Sequence, residues 1–294
     1  MLNILENKNS LAKLCLGTVQ FGLDYGINNQ HGKLTEAHIN NILDYAHSVG
    51  IVNLDTADGY GDALERLGRY FLQSDQHFVV HNKFSADGDH IEDKLERSLQ
   101  LLNNNEVETY YFHNYSDLLN HPSYLDQMLE LKKNKLIKSI GVSIYDNQEF
   151  ESACNHDLID VIQLPYNLLD NYHQRGELIE QAISRGKKLH VRSIFLQGLF
   201  FMNPNKLPSK LTPLLPYLKQ LDDICTETGL TIGQLAMGYA FQCSAVDKVI
   251  IGIDTLEQLK QNVNLCETTL PMDVVQKIDQ IIVREIDLLY PRNW

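Results

Sequence analysis

Short apolar runs alternate with longer amphipathic segments along nearly the whole chain, and this alternation limits the fold more than any other feature. The apolar runs are short and bounded by turn residues, which favours buried strands. The predicted strands are Leu14–Gly17, Ile51–Leu54, Phe78–Asn82, Thr109–Phe112, Ile137–Ser143, Val161–Leu164, Lys188–Ile194 and Val249–Gly252. Eight strand–helix units without a break in composition predict the α/β class. We expect a single (β/α)8 TIM barrel over residues 1–294, with no linker between domains.

Helical periodicity lies between the strands. In Ile91–Leu102, apolar side chains recur on one face of the predicted helix. The other predicted helices are Glu36–Ser48, Leu64–Leu72, Leu125–Asn134, Asn147–Ala153, Leu178–Arg185, Leu214–Thr228, Ile232–Gln242 and one that begins at Leu256. The least regular region, Phe200–Pro216, contains four prolines, so we expect a long loop on the active-site face.

Composition excludes several classes of partner. The formal net charge of −13, without a compensating Lys/Arg run, argues against nucleic acid or an anionic membrane as a partner. The five cysteines are scattered and form no Cys-x-x-Cys pair, which favours reduced thiols in a cytoplasmic protein. No metal site is expected from their spacing. The amino-terminal residues do not resemble a secretion leader, and no apolar run is long enough to span a membrane.

Four chemically complementary residues follow or end neighbouring predicted strands. Asp55 and Tyr60 follow the second strand, Lys83 follows the third, and His113 follows the fourth. In a parallel barrel the carboxyl ends of the strands meet at one rim, so these side chains converge if the fold is right. Each one alone is also compatible with a cap, a solvated charge or a satisfied core residue. Together they predict an acid–base site.

At these positions the chain resembles the aldo-keto reductase family over nearly its full length. The resemblance rests on Leu16–Gly22, Leu54–Gly61, Lys83 and His113, and it continues through Ile140–Ser143, Gln163–Asn167 and Ile250–Gly252. It implies reduction of an aldehyde or ketone, a small-molecule carbonyl substrate, with a hydride from NADPH or NADH. It also implies cofactor contacts from Gly17, Thr18, Asp55, Ser143, Gln163, Arg192, Ser193, Gly198, Gly252, Asp254, Gln258 and Asn262. The resemblance gives no oligomeric state.

The four residues suit the reaction that the resemblance implies. A tyrosine is a poor acid near neutral pH, with an unperturbed pKa of about 10. An adjacent lysine ammonium stabilises the phenolate, and a buried lysine needs a carboxylate to stay charged. Tyr60, Lys83 and Asp55 match these roles, and His113 can orient the substrate carbonyl. The nicotinamide supplies the hydride itself.

Two positions depart from the commonest family pattern around the nicotinamide. Ile144 follows Ser143 where relatives often have asparagine, so one expected partner of the carboxamide is missing. Arg192 stands where many relatives place an aromatic residue against the nicotinamide ring. A planar guanidinium can also stack on a ring, and its charge would attract an anionic substrate or the cofactor phosphates.

The segment Gly252–Gln258 bears on the choice between NADPH and NADH. Relatives that bind NADPH usually carry a basic residue here, whereas this chain has none and has Asp254. A carboxylate would repel a 2′-phosphate and could accept a hydrogen bond from a ribose hydroxyl. Alternatively, Asp254 and Thr255 only begin the helix, since Thr255-x-x-Gln258 fits a capping box. The family default is NADPH, and the local residues favour NADH.

The sequence constrains the substrate less closely than the reaction, and it leaves alternative functions open. The opening Leu16–Ile27 resembles a bacterial subgroup associated with surface-polysaccharide and modified-sugar pathways, which suggests a keto-sugar or another polar carbonyl compound. Substrate contacts are expected from Gln20, Tyr25, Tyr60, His113, the Phe195–Pro216 loop and Tyr290–Trp294, although Trp294 could instead pack the edge of the barrel. The alternatives are a redox-inactive nucleotide-binding regulator of the same fold and a Schiff-base aldolase using Lys83.

Overall fold

Eight parallel strands close into a barrel in chain order in the computed structural model, which describes residues 10–27, 29 and 32–294. The strands are β1 (Leu14–Gly17), β2 (Asn53–Ala57), β3 (Val79–Phe84), β4 (Val107–Phe112), β5 (Ile137–Ser143), β6 (Val161–Pro165), β7 (Lys188–Arg192) and β8 (Val246–Gly252). β1 pairs with both β2 and β8, which completes the ring. The predicted (β/α)8 barrel is confirmed.

Helices connect the strands on the outside of the barrel. They are α1 (Ser10–Lys13), α2 (Val19–Gly22), α3 (Glu36–Ser48), α4 (Ala63–Gln73), α5 (Ile91–Leu102), α6 (Tyr115–Asn120), α7 (Tyr124–Lys133), α8 (Asn147–Asn155), α9 (Tyr172–Ser184), α10 (Leu215–Thr228), α11 (Ile232–Gln242), α12 (Leu256–Leu265) and α13 (Met272–Asp279). The predicted bounds of α3, α5, α11 and β5 are confirmed. In α5 the apolar residues that recur on one predicted face, Ile91, Leu95, Leu99 and Leu102, are all buried.

The second and third strands extend further toward the carboxyl rim than predicted. Ile51 is not in a strand, because its N–H donates to the Ala46 carbonyl at 2.9 Å and ends α3. At the other end Asp55 pairs with His81, and Ala57 pairs with Lys83. Asp55 and Lys83 therefore lie inside the paired part of the barrel rather than in the loops beyond it.

Several other bounds also differ from the predictions, among them those of α9, β7 and β8. Helix α9 begins six residues earlier than predicted, at Tyr172, because the Asn171 side chain accepts from the His173 N–H and caps it. β7 ends at Arg192, since Ser193 has a φ of 60° and leaves the extended conformation. β8 begins at Val246, three residues before the predicted start.

The region Phe200–Pro216 is more ordered than the predicted loop. It contains short 3₁₀ turns at Pro204–Lys206 and Ser209–Leu214, and an earlier turn spans Leu196–Phe201. α10 then begins at Leu215 with a proline at its first turn, where proline is well tolerated.

The strands are almost wholly buried, so the barrel interior is a packed core rather than a channel. All five cysteines carry free thiols. Within the described ranges, no helix has the length and apolar character needed to cross a membrane. The amino-terminal segment for which no leader is predicted, residues 1–9, lies outside the described residues.

Candidate active site

A buried ion pair joins β2 and β3 beneath the carboxyl rim. The Lys83 ammonium contacts Asp55 Oδ1, and both side chains are almost fully buried. Gln163 on β6 donates from Nε2 to Asp55 Oδ2 at 2.7 Å. Burial alone would lower the pKa of the Lys83 ammonium, but Asp55 and Tyr60 outweigh it and the pKa is raised. Lys83 is therefore a stable cation in the core.

Tyr60 lies directly above this cation, in the turn between β2 and α4. The Lys83 Nζ is 5.1 Å from the centroid of the Tyr60 ring. Burial raises the pKa of the Tyr60 phenol, while the Lys83 charge acts in the opposite direction by stabilising the phenolate. Tyr60 is therefore protonated at neutral pH and has a nearby charge that helps it release the proton.

Two glycines hold the Tyr60 turn by close backbone contact with α2. A Cβ at Gly22 would lie 1.6 Å from the Tyr60 carbonyl oxygen. One at Gly61, whose φ is +59°, would lie 2.5 Å from the Gly22 carbonyl oxygen. Any side chain at these positions would displace the turn, so the glycines in the two sequence motifs serve to place Tyr60.

His113 completes the group of four after β4. Its ring meets that of Tyr60 edge-on, with centroids 5.7 Å apart. Burial lowers the pKa of His113 to about 3, and the charges of Lys83 and Arg192 act in the same direction. A neutral imidazole thus faces the same space as the Tyr60 hydroxyl, and it can donate one hydrogen bond to a carbonyl oxygen.

These side chains open into a cavity of about 720 Å³, a size typical of small-molecule and cofactor sites. Nearly all of the predicted cofactor and substrate residues line it: Gly17, Gln20, Tyr25, Asp55, Tyr60, Lys83, His113, Ser143, Gln163, Arg192, Ser193, Gly198, Gly252, Asp254, Gln258 and Asn262. From the loop Phe195–Pro216, which was expected to contact substrate, the cavity-lining residues are Phe195, Gln197, Gly198 and Phe201.

Thr18 and Trp294 lie elsewhere. The Thr18 hydroxyl donates to the backbone carbonyl of Asp55 at 3.1 Å and is fully buried, so it supports the β1–β2 rim instead of lining the cavity. The Trp294 indole donates to the Leu288 carbonyl at 2.8 Å and packs the edge of the barrel. Pro291 and Arg292 are the members of the carboxyl-terminal segment that line the cavity.

The amino terminus of α12 forms one end of the cavity and is capped from two directions. Thr255 Oγ1 accepts from the Gln258 N–H at 3.1 Å, as the predicted capping box requires. The Gln258 side chain returns to the Asp254 N–H at 2.8 Å, one residue before the expected partner. This arrangement fixes the Asp254 backbone at the cavity wall.

The chain is similar in sequence and fold to known carbonyl-reducing proteins. The family model of the Aldo/keto reductase family matches residues 13–283. The chain belongs to the aldo/keto reductase family. NADH-specific methylglyoxal reductase from Escherichia coli K12 is 24% identical, over 86% of this chain and 89% of that protein.

Two further relatives define the extent of the similarity. Pyridoxal 4-dehydrogenase from Microbacterium luteolum is 26% identical, but the match spans only 49% of this chain and 44% of that protein. The holo form of an aldo-keto reductase from Bacillus halodurans superposes with a TM-score of 0.75 at 21% identity, over 96% of this chain and 94% of that one. At this identity the structural likeness supports the barrel fold alone.

Tyr145 is the main cavity residue that sequence reasoning missed, and Arg292 was expected only as part of the segment Tyr290–Trp294. The Arg192 and Arg292 guanidinium carbons lie over the Tyr145 ring, 4.3 Å and 4.0 Å from its centroid. Tyr145 follows β5 by two residues, so its position at the rim was a usable signal. No local pattern indicates that the chain returns from its last helix to place Arg292 on this ring.

A second polar cluster lies in the barrel interior. The Tyr111 hydroxyl is 2.7 Å from His190 Nδ1, and the His81 and His190 rings are 5.0 Å apart. His81 also contacts Thr109 and Asn53 through its two ring nitrogens. Burial lowers the pKa of His81 to about 3, with nearby lysine charges adding to the effect. The histidine pair is therefore neutral and part of the core.

We expect this cluster to lower the free energy of unfolding at acidic pH. In the unfolded chain His81 binds a proton below the ordinary histidine pKa of 6.5, whereas in the folded protein it resists protonation down to a pKa of about 3. The free energy of unfolding should therefore fall as the pH drops below 6.5, by up to about 1.4 kcal/mol per pH unit from His81. Urea unfolding between pH 7.5 and 5 measures this slope.

The slope should be smaller in His81→Gln than in the wild-type protein. His77→Gln, which changes an exposed histidine just before β3, is the matched control and should keep the wild-type slope. Equal slopes in all three proteins would contradict the assignment of His81 as a neutral core residue.

Proposed function

We propose that this chain reduces an aldehyde or ketone to an alcohol with NADH or NADPH, and that Tyr60 donates the proton. The observation that carries the proposal is the contiguous arrangement of Asp55, Lys83, Tyr60 and His113 at the floor of one cavity. A carbonyl oxygen above Tyr60 would meet a phenol that can release a proton and an imidazole that can orient it. Because the chain resembles the modified-sugar subgroup in its opening motif, a keto-sugar is our candidate substrate.

The cavity suits a dinucleotide along its β8 side. Gly252 has no side chain, and a Cβ there would lie 2.6 Å from Gln20 Nε2. The buried Oε1 of Gln20 lacks a hydrogen-bond partner within the described part of the chain. Ser143 and Gln163 would hold the nicotinamide carboxamide, Arg192 would stack on its ring, and the α12 amino terminus would bind phosphate oxygens. The bound nicotinamide supplies the hydride.

Each catalytic side chain has a separate task. The Lys83 charge stabilises the Tyr60 phenolate left after proton donation, and Asp55 keeps Lys83 charged. His113 donates a hydrogen bond to the carbonyl and draws its oxygen toward Tyr60. The raised pKa of Lys83 speaks against the Schiff-base aldolase, because a nucleophilic amine must be neutral.

A redox assay tests the proposal. Purified protein is titrated with NADH and NADPH by fluorescence, and oxidation of each is then followed with a panel of aldehydes and ketones, keto-sugars included. We expect saturable binding and substrate-dependent oxidation. Binding without oxidation across the panel would instead support the redox-inactive regulator.

Cofactor preference should respond to Asp254. We propose a preference for NADH, supported by the carboxylate at this end of the cavity and by a relative named as NADH-specific. Asp254→Ser should raise the ratio of NADPH to NADH affinity about tenfold, or roughly 1.4 kcal/mol, because charge repulsion is removed in a partly desolvated site. Fluorescence titration measures both affinities.

The exposed Asp223 on α10 provides the matched control. It lies outside the cavity, paired with Lys219 at 3.0 Å, so Asp223→Ser should leave the ratio unchanged. An unchanged ratio in Asp254→Ser as well would mean that Asp254 serves only the helix start.

A further inference from the structure

Two arginines from distant parts of the chain meet on one aromatic ring at the cavity wall. Arg192 ends β7 and Arg292 lies near the carboxyl terminus, and both guanidinium groups lie over Tyr145. Because the guanidinium carbons of Arg192 and Arg292 lie 4.3 Å and 4.0 Å from the same ring centroid, they are at most about twice that distance apart. All three residues line the cavity. Stacking on an aromatic face leaves the edges of a guanidinium available for hydrogen bonds.

Among the described residues, neither guanidinium has a carboxylate as an ion-pair partner. In the described ranges, the ion pairs within 4.0 Å include neither Arg192 nor Arg292. Arg192 instead donates to the Ile144 carbonyl at 3.0 Å and approaches the Ser193 hydroxyl. The third cation of the cavity, Lys83, already has Asp55 as its counterion. In a chain with a net charge of −13, the cavity wall thus carries two arginines on one ring, neither with an ion-pair partner in the part of the chain that the structure describes.

Tyr145 is half-buried and Arg292 is exposed, but the ring is held by a well hydrogen-bonded backbone above a buried ion pair. The Tyr145 N–H donates to Glu149 Oε2 at 2.6 Å, and its carbonyl accepts from Arg175 Nη2 at 2.5 Å. Arg175 is itself fixed by a bidentate pair with Asp170, at 2.7 and 2.8 Å, and both residues are only 2% exposed. The rings of Tyr145 and Tyr290 meet edge-on at 5.9 Å, which holds the carboxyl-terminal segment in place.

The position of Arg192 and Arg292 favours contact with the substrate over contact with the cofactor phosphates. The proposed contacts to the cofactor phosphates lie at the start of α12, beyond the end of β8. Arg192 ends β7 beside β8, but the ring that both arginines contact, Tyr145, follows β5, and two strands separate β5 from β8. Arg192 is close enough to the catalytic group for its charge to lower the pKa of both Tyr60 and His113. An anion held by the pair would therefore lie beside the reacting carbonyl.

We propose that Arg192 and Arg292 form an anion-binding subsite for the substrate, and that the preferred substrates are carbonyl compounds carrying a carboxylate or phosphate group. The inference rests on the proposed reductase function and narrows its substrate class. Guanidinium groups bind either anion through paired N–H donors, so both sources share the same chemistry. A phosphorylated keto-sugar is one such compound.

The test compares charged and uncharged substrates of similar shape. Succinic semialdehyde is paired with 4-oxobutanamide for the carboxylate arm, and glyceraldehyde 3-phosphate is paired with glyceraldehyde for the phosphate arm. For each pair, kcat/KM is measured in the wild-type protein, in Arg292→Gln and in Arg292→Lys. The control is Arg284→Gln, which removes the same charge from another exposed position, eight residues before Arg292 and outside the cavity.

We expect the wild-type protein to favour the anionic member of at least one pair. Arg292→Gln should lower the charged-to-uncharged ratio of kcat/KM about tenfold or more, as the loss of a charge-assisted hydrogen bond predicts. Arg292→Lys should restore part of the ratio, and Arg284→Gln should keep the wild-type value. The arm that shows the preference identifies the anion.

Three results would overturn the subsite. One is a wild-type protein that reduces the neutral aldehydes as well as or better than the charged ones in both arms. Another is a ratio that Arg292→Gln leaves unchanged. The third is a rise in the KM for NADH or NADPH that affects both members of a pair equally, which would assign the guanidinium to the cofactor. Absence of reduction with every aldehyde would instead contradict the proposed function itself.

Discussion

Lys83→Met is expected to abolish carbonyl reduction, with a loss of at least about 100-fold, the lower end of the range for general acid catalysis. The methionine removes the charge that stabilises the Tyr60 phenolate, so the pKa of Tyr60 should rise further above its ordinary value. It also leaves Asp55 buried with only the Gln163 hydrogen bond. Turnover and the pH profile of kcat/KM measure the effect on catalysis.

Lys83→Met should also lower the free energy of unfolding, and a second variant separates this effect on stability from the effect on catalysis. Removing one partner of a buried ion pair costs about 3–5 kcal/mol, because a charge is left without a counterion. The double variant Lys83→Met/Asp55→Asn removes both charges and should recover most of the unfolding free energy without recovering activity. A Lys83→Met protein with normal turnover and an unchanged pH profile would show that Tyr60 and Lys83 are not coupled.

Tyr60→Phe is expected to lower carbonyl reduction at least about 100-fold while leaving nucleotide affinity nearly unchanged. The ring stays in its turn against α2, and only the hydroxyl that donates the proton is lost. Fluorescence titration measures nucleotide binding, and steady-state turnover measures the chemistry. Because the turn geometry depends on Gly22 and Gly61 rather than on the hydroxyl, stability should hardly change.

Tyr172→Phe provides the matched control for this variant. The Tyr172 hydroxyl donates to Glu180 at 2.7 Å on α9 and lies outside the cavity, so its removal should leave turnover at the wild-type level. Equal turnover in Tyr60→Phe and Tyr172→Phe would remove Tyr60 from its proposed role.

The barrel could be predicted from the sequence because each of its units is a local pattern. Apolar runs and helical periodicity are set by neighbouring residues, so features such as β5 and α5 could be located without knowledge of the whole fold. The ends of the strands were harder to predict from the sequence. Ile51 is as apolar as a strand residue, but its N–H completes the end of α3, and only the hydrogen-bond pattern distinguishes the two.

The grouping of the four candidate catalytic residues could be predicted from the sequence, whereas the contact between Arg192, Arg292 and Tyr145 could not. Asp55, Tyr60, Lys83 and His113 lie at or just beyond the carboxyl halves of three consecutive strands, so barrel topology alone brings them together. The Arg192 and Arg292 pair depends on a carboxyl-terminal segment that packs on Tyr145, a contact between residues more than 140 positions apart in the sequence. Such a contact leaves no periodic signal.

The proposed function depends on a hydride passing from the nicotinamide to a carbonyl carbon while Tyr60 supplies the proton. Single-turnover reduction of a reactive aldehyde with NADH or NADPH that carries deuterium at both C4 positions tests this step most directly, with the product analysed by mass spectrometry and NMR. We predict one deuterium on the new carbinol carbon, formed at least about 100-fold faster by the wild-type protein than by Tyr60→Phe. Bound nucleotide with no label transferred, or equal transfer rates in the two proteins, would contradict the account.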